Sequence, residues 1–104
     1  MGTNQPRITS QSLKVLGALM SSKDELSGAD IARSTRLSSG TLYPILSRLE
    51  SAKWIESHWE NGDPHKLGRP RRRFYQVTAL GARNARKQFT ELQSAIGRLA
   101  WEVS

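Results

Sequence analysis

A run of four arginines in the second half of the chain constrains the fold more than any other feature of the sequence. Residues 67–75 read LGRPRRRFY and lie between two stretches that are typical of β-strands. So many guanidinium groups cannot be buried without partners, because an unpaired charge is costly to remove from water. The run therefore predicts the exposed loop of a β-hairpin, with phosphate as its natural counterpart. The alternative is a solvated basic loop that binds nothing.

The composition limits the classes of protein to which the chain can belong. Its 104 residues suffice for one small domain. Lysines and arginines number 16 against 9 acidic residues, and this net charge of +7 favours a polyanionic partner. The lack of cysteine excludes disulfides and Cys-based zinc sites, and we predict no metal and no cofactor. No apolar run approaches the roughly 20 residues of a membrane span, which predicts a cytoplasmic protein without membrane contact.

Three helices are predicted in the first half of the chain. Apolar residues at i, i+3, i+4 and i+7 indicate an amphipathic helix at about 10–21. Leu26 is a candidate for a short strand, and Ser27 followed by Asp30 has the form of a capping box that begins a short second helix. A third helix is predicted at about 39–53. Its apolar face consists of Leu42, Ile45, Leu46, Leu49 and Ala52.

A β-hairpin and a long helix complete the chain. Residues 54–60 and 72–78 are predicted as two strands, joined by an irregular connection at 61–70. Trp54 and Trp59 are interpreted as packing residues of the core or of the hairpin. The last helix is predicted from Ala79 to about Val103, with Thr78 as its N-cap.

The last helix has the clearest periodicity in the chain. Its apolar residues recur at alternating separations of three and four over three heptads, which is the pattern of a narrow helix–helix seam. We interpret this seam as a contact between subunits, and contact between two helices of one chain is the alternative. Trp101 lies off the stripe and receives no role. The predicted dimerisation residues are Ala85, Phe89, Leu92, Ile96, Leu99 and Val103.

The order of these elements predicts a winged helix-turn-helix. A helix about 10 to 12 Å wide fits the major groove of B-DNA, and the short side chains of the third helix allow a close approach. The basic wing at 61–71 would contact the same DNA. The fold class is therefore mainly α with a small β-hairpin. It comprises a flexible arm at 1–8, the winged helix-turn-helix at 9–78 and a dimerisation helix at 79–104.

The candidate DNA-binding residues lie on the third helix and in the wing. Arg48 could instead pair with Glu50 or Glu56. Arg73 is expected either to be solvated or to pair with Glu56 or Glu60. The predicted DNA-binding residues are Ser38, Ser39, Thr41, Tyr43, Pro44, Ser47, Arg48, Lys66, Arg69, Arg71 and Arg72.

Several motifs resemble the PadR-type transcriptional regulators. TLYP at 41–44 enters the third helix, GRPRR stands at 68–72, and YQVTALG follows at 75–81. The resemblance is specific over 39–81 and extends loosely over nearly the whole chain. It implies a winged-helix homodimer of the short subgroup that dimerises through the helix after the wing. Such proteins are usually repressors of an inverted-repeat operator, and some are released by a small aromatic or phenolic effector.

Two other classes of function are compared with this interpretation. The sequence argues against an enzyme, because it offers no activated nucleophile, no paired carboxylates and no phosphate-cradling loop. The main alternative is a winged-helix adaptor or antiactivator whose basic surface binds a protein or RNA partner. A specific reader of DNA discriminates by about 10³ or more over non-specific sites, whereas an adaptor does not.

Overall fold

The computed structural model of the chain describes the backbone of residues 9–103 and the side chains of residues 9–99. The predicted arm at 1–8 lies outside the described residues. The observed order confirms a mainly α fold with a small antiparallel sheet and a long last helix. The elements are α1 (Ser10–Ser21), β1 (Leu26–Ser27), α2 (Gly28–Thr35), α3 (Ser39–Ser51), β2 (Ile55–Trp59), α4 (Pro64–Leu67), β3 (Arg73–Val77) and α5 (Ala79–Val103).

The first two helices begin at side chains that cap their free amide groups. Thr9 Oγ1 accepts a hydrogen bond from the Ser12 N–H at 3.1 Å at the start of α1. At α2, the Asp30 N–H donates to Ser27 Oγ at 3.1 Å, and the Ser27 N–H donates to an Asp30 carboxylate oxygen at 3.0 Å. This reciprocal pair confirms the predicted capping box. Arg36 ends α2 in the left-handed conformation, with φ 61°, and turns the chain toward α3.

One face of α3 is completely covered by the rest of the chain. Pro44 lies inside the helix and lacks the amide that would bond to the Gly40 carbonyl in the first turn. The helix ends at Ser51, two residues before the predicted end, and Lys53 beyond it has a φ of 67°. The buried face consists of Leu42, Ile45, Leu46 and Leu49, each at most 2% exposed.

The two strands of the predicted hairpin belong to a three-stranded antiparallel sheet. β1 pairs with β3, so the strand order is β1-β3-β2. Leu26 lies opposite Tyr75 and links the helical half of the chain to the hairpin. On the other side of β3, Ser57 lies opposite Tyr75 and Trp59 lies opposite Arg73. These pairs place Trp59 and Arg73 at the end of the sheet where the basic connection begins.

The connection between β2 and β3, residues 60–72, is called the wing loop below. The sequence predicts it to be irregular, but it contains the one-turn helix α4. Asp63 accepts a hydrogen bond from the His65 N–H at 3.0 Å, and Pro64 occupies the first turn, where its missing N–H has little cost. Gly68 ends the turn with a φ of 69°.

The start of α5 is fixed to the segment that joins α3 to β2. Thr78 Oγ1 accepts from the Gly81 N–H at 3.0 Å, as expected of the N-cap, and donates to the Lys53 carbonyl at 2.7 Å. A Cβ atom on Gly81 would lie 2.0 Å from the carbonyl oxygen of Trp54. Glycine is therefore required at this contact. Trp54 itself is 3% exposed, which agrees with its predicted packing role.

The apolar stripe of α5 is covered by α1 in its first half and open in its second half. Ala85 is fully buried, and a Cβ atom on Gly17 of α1 would lie 3.7 Å from Phe89 Cζ. The predicted subunit contact is therefore wrong for Ala85, because its own chain already covers it. Phe89 is partly buried against the same core. Val103 lies outside the described side chains. The exposed residues are Leu92, Ile96 and Leu99, at 47%, 57% and 62%.

Candidate nucleic-acid interface

The outward face of α3 is polar and consists mostly of short side chains. It faces solvent because the apolar residues of the helix all point into the core. At the N-cap, Ser38 Oγ donates a hydrogen bond of 3.2 Å to Thr41 Oγ1. Within residues 9–99 Arg48 forms no ion pair, so neither Glu50 nor Glu56 is its partner. Of the predicted residues, Thr41 is half-buried and the others are exposed, namely Ser38, Ser39, Tyr43, Pro44, Ser47 and Arg48.

Tyr43 leans from α3 onto the start of α2. A Cβ atom on Gly28 would lie 2.4 Å from the Tyr43 hydroxyl oxygen, so the hydroxyl rests directly on the Gly28 backbone. The sequence gives no sign of this contact, and glycine at position 28 permits it. The side chain remains 49% exposed. The contact of Tyr43 with DNA stays a prediction. The packing on Gly28 already holds the side chain in place.

Glu60 closes the base of the wing loop. Its carboxylate accepts hydrogen bonds from Arg69 Nη1 at 2.7 Å and from Arg69 Nη2 at 2.9 Å, which is a bidentate ion pair. The same carboxylate accepts from the Arg72 N–H at 3.2 Å, and the Glu60 N–H donates to the Arg72 carbonyl at 2.7 Å. The hydrogen bonds from Arg69 are the main reason that the pKa of Glu60 falls from 4.5 to about 2.

The other basic residues of the wing loop differ from Arg69. Lys66, Arg71 and Arg72 are exposed, and none of them forms an ion pair with a described residue. The sequence predicts Arg69 as a DNA contact on the same terms as these three, yet its guanidinium group is bound to Glu60. The uncompensated positive charge of the wing loop therefore lies on Lys66, Arg71 and Arg72, where phosphate can reach it.

Arg73 and Trp59 form a stacked pair at the end of the sheet. The Arg73 guanidinium carbon lies 5.2 Å from the Trp59 ring centroid, within the range of a cation–π contact. Arg73 Nε donates to Ser57 Oγ at 2.8 Å, and its Nη2 lies 3.7 Å from Glu50. The sequence predicts Arg73 either to be solvated or to pair with Glu56 or Glu60, and this is corrected to a pair with Glu50. Trp59 is 56% exposed, contrary to the packing role expected of it.

A cleft of about 540 Å³ lies between α3 and the wing loop. Tyr75 is buried in its wall, and this burial raises the pKa of the phenol. The cleft brings part of the polar face of α3, Tyr43 and Ser47, next to Arg71 and Arg72 of the wing loop. Its lining includes Tyr43, Ser47, Glu50, Trp59, Arg71 and Arg72.

His58 on β2 is exposed. It forms a hydrogen bond with Glu25, which raises the pKa of its imidazole. Across residues 9–99 no three metal-binding side chains come together. None of the helices in the described ranges is both long and apolar enough to cross a membrane.

The chain matches known regulators in both sequence and structure. A model described as the transcriptional regulator PadR-like family matches residues 23–87. A PadR family transcription regulator from hypervirulent Clostridium difficile R20291 superposes with a TM-score of 0.77 at 24% identity, over 92% of this chain and 100% of its own.

Two further structures share the fold. MepR, a transcription regulator of the Staphylococcus aureus multidrug efflux pump MepA, has a TM-score of 0.72 at 23% identity, over 93% of this chain and 67% of its own. The protein smu.1704 from Streptococcus mutans UA159 has a TM-score of 0.64 at 26% identity, over 83% of this chain and 81% of its own. No curated protein matches the chain.

Proposed function

Because this chain belongs to the PadR-like family of transcriptional regulators, we propose that it is a homodimeric repressor that binds an inverted-repeat operator in double-stranded DNA. One observation carries the proposal. Tyr43 and Ser47 of the polar face of α3 line the same cleft as Arg71 and Arg72, which form no ion pair with a described residue. A surface that combines short polar side chains with free guanidinium groups suits the bases and phosphates of a duplex.

In this proposal α3 enters the major groove. Ser39, Thr41 and Ser47 are short enough to let the helix backbone approach the bases, and Arg48 is free to make a bidentate contact with a guanine. Ser38, Tyr43 and Pro44 accompany them at the start of the helix. The phosphate contacts fix the register of the protein on DNA, whereas Arg48 carries sequence preference.

The wing loop contacts the flanking backbone or the adjacent minor groove. Lys66, Arg71 and Arg72 supply the charge for this contact. Trp59 lines the cleft together with Arg71. We add it to the predicted DNA-binding residues, because its exposed indole can pack against deoxyribose. In the sequence, the only signal for this was the position of Trp59 at the end of the predicted strand, next to the basic loop.

A second copy of the chain covers the open half of α5. Leu92, Ile96 and Leu99 lie on one stripe and are 47%, 57% and 62% exposed, which is unusual for three large apolar side chains in a row. A seam of this spacing packs against an identical seam across a two-fold axis. The dimer then presents two α3 helices to two half-sites about one helical turn of DNA apart.

The test is a selection of bound genomic fragments, followed by competition between the selected operator and scrambled DNA at one salt concentration. We expect a preference of about 10³ or more for the operator. A protein that shows no preference for any duplex is an adaptor with a protein or RNA partner. In cells, a reporter behind the selected operator should lose expression when the protein is present, and a gain would contradict repression.

An effector can be tested on the same complex. The family resemblance makes a small aromatic or phenolic molecule a candidate second partner. Simple phenolic acids added to the operator complex should release the DNA if the chain responds to this class of ligand. Complexes that survive saturating concentrations of these acids would remove the phenolic effector from the proposal.

A further inference from the structure

We infer that Glu60 and Arg69 form a positioning pair that aims Arg71 and Arg72 at DNA, and that Arg69 itself does not contact the duplex. The inference rests on the proposed function, since it assigns separate roles to the arginines of one DNA-binding loop. It changes the expectation drawn from the sequence, in which Arg69 and Arg71 are equivalent contacts.

The geometry of Arg69 supports a role within the protein. Both of its terminal nitrogens are bound to Glu60, at 2.7 and 2.9 Å, and Nη1 also donates to the Pro70 carbonyl at 3.2 Å. The Glu60 side chain is 19% exposed and the Arg69 side chain is 34% exposed. Three of its five N–H donors are thus used within the protein, and a phosphate that took both terminal nitrogens would have to replace a bidentate carboxylate that already matches them.

The geometry of Glu60 connects this pair to the neighbouring arginines. Glu60 exchanges two hydrogen bonds with the backbone of Arg72, as acceptor at 3.2 Å and as donor at 2.7 Å. The same carboxylate thus binds Arg69 at one point of the chain and Arg72 three residues later. Pro70 between them has a restricted φ. The direction of the backbone at Arg71 and Arg72 is therefore set by contacts with Glu60.

Charge alone and positioning predict opposite effects of removing the Glu60 carboxylate. If only charge mattered, Glu60→Gln would strengthen DNA binding, because it deletes a negative charge near the phosphates. If Glu60 positions the wing loop, the same change weakens binding. Glu56 provides the matched control. It lies on β2, the strand that leads into Glu60, is exposed, and accepts a hydrogen bond of 2.8 Å from Gln76, which a glutamine could also accept.

The first measurement is the affinity of each variant for the selected operator over a range of salt concentrations. We expect Glu60→Gln to bind about tenfold more weakly, the scale of one charge-assisted hydrogen bond. Its salt slope should fall by about 0.9 for each phosphate that the variant no longer neutralises. Glu56→Gln should bind as well as wild type or slightly better. A Glu60→Gln protein that binds as tightly as Glu56→Gln overturns the inference.

The second measurement separates positioning from direct binding to DNA. Arg69→Ala should weaken binding as Glu60→Gln does, and adding Arg69→Ala to Glu60→Gln should cause no further weakening, since the two residues act as one unit. If the salt slope of the double variant falls further, by the amount expected of one phosphate, Arg69 touches DNA and the inference is wrong.

The third measurement needs no DNA, so it distinguishes this inference from the proposed function. In the free protein, hydrogen exchange at the Arg72 amide should accelerate in Glu60→Ala, which removes the acceptor oxygen that a glutamine would keep, and stay unchanged in Glu56→Ala. Amides of α3 should exchange as in wild type in both variants. If wild type binds no duplex, the proposed function fails, while the Arg72 amide still decides whether Glu60 organises the loop. Unchanged exchange at the Arg72 amide in Glu60→Ala refutes the pair.

Discussion

α3 and α5 both carry an apolar stripe, but the chain covers one stripe completely and the other only in part. The four apolar residues of α3 are at most 2% exposed. In α5, Ala85 is fully buried, whereas Leu92, Ile96 and Leu99 remain between 47% and 62% exposed. What α3 leaves at the surface is polar, and what the second half of α5 leaves is apolar. The two helices therefore suit different partners, a hydrated polyanion and a second apolar helix.

The largest expected effect tests the open half of α5. Leu92→Glu combined with Ile96→Glu would bury two unpaired charges in the proposed dimer, at a cost of several kcal/mol. Sedimentation should show a folded monomer, because both side chains lie outside the protomer core. Gln93→Glu with Ser94→Glu adds the same charge at exposed positions off the stripe and should remain dimeric. A dimer that survives the first pair of changes would remove the seam from the proposal.

The next effect tests the covered stripe of α3. Leu49→Ala removes a side chain that is 1% exposed and should lower the free energy of unfolding by about 2 to 5 kcal/mol, through reduced burial and the cavity left behind. Leu80→Ala is the matched control. Leu80 is 42% exposed, so its truncation should cost no more than about 0.5 kcal/mol. Urea unfolding measures both values, and equal losses of stability would contradict the division between the two surfaces.

The periodicity of the sequence predicted that α3 and α5 each have an apolar stripe, but it could not tell which part of the molecule covers each stripe. A 3-4 pattern records that one face of a helix is apolar. Ala85 and Leu92 therefore look alike in the sequence, and only the packing of α1 beside Phe89 separates them. The capping box at Ser27 was predictable for the opposite reason, since both of its members lie within three residues of the sequence.

The wing shows the same limit for charged residues. Strand alternation could place the arginines outside the core, but not choose their partners, because Glu60 and Arg69 meet only when the loop between them has folded. The one-turn helix α4 contributes to that folding. Its signals were present as Asp63, Pro64 and Gly68, but a single turn offers no apolar period to support them.

A smaller effect tests the exposed face of α3. Arg48→Ala should relax preference at one position of each half-site, at a cost of about 1 to 3 kcal/mol in operator binding, and should leave non-specific binding nearly intact. The measurement is competition between operator and scrambled DNA for mutant and wild type at one salt concentration. Arg83→Ala removes the same charge from an exposed position on α5 and should keep the preference. If Arg48→Ala keeps the preference for the operator, the proposed fold and function stand, but Arg48 does not read the DNA sequence.

The smallest effect concerns the contact between His58 on β2 and Glu25, which precedes β1. The hydrogen bond with Glu25 raises the pKa of His58 above its ordinary value of 6.5. A group with a raised pKa in the folded state adds stability that is complete below about 6.5 and is lost as the pH rises through the raised value. The gain is small, since the His58 side chain is 52% exposed and the Glu25 side chain 36%, so water screens the contact. The midpoint of thermal unfolding, measured between pH 5 and about 8, should therefore decline slightly with pH in wild type, and His58→Gln should remove this decline.

His65→Gln is the control and should keep the decline, because His65 has no carboxylate partner among the described residues. Identical pH profiles for wild type and His58→Gln would show that the contact between Glu25 and His58 contributes nothing to the link between β2 and the turn before β1.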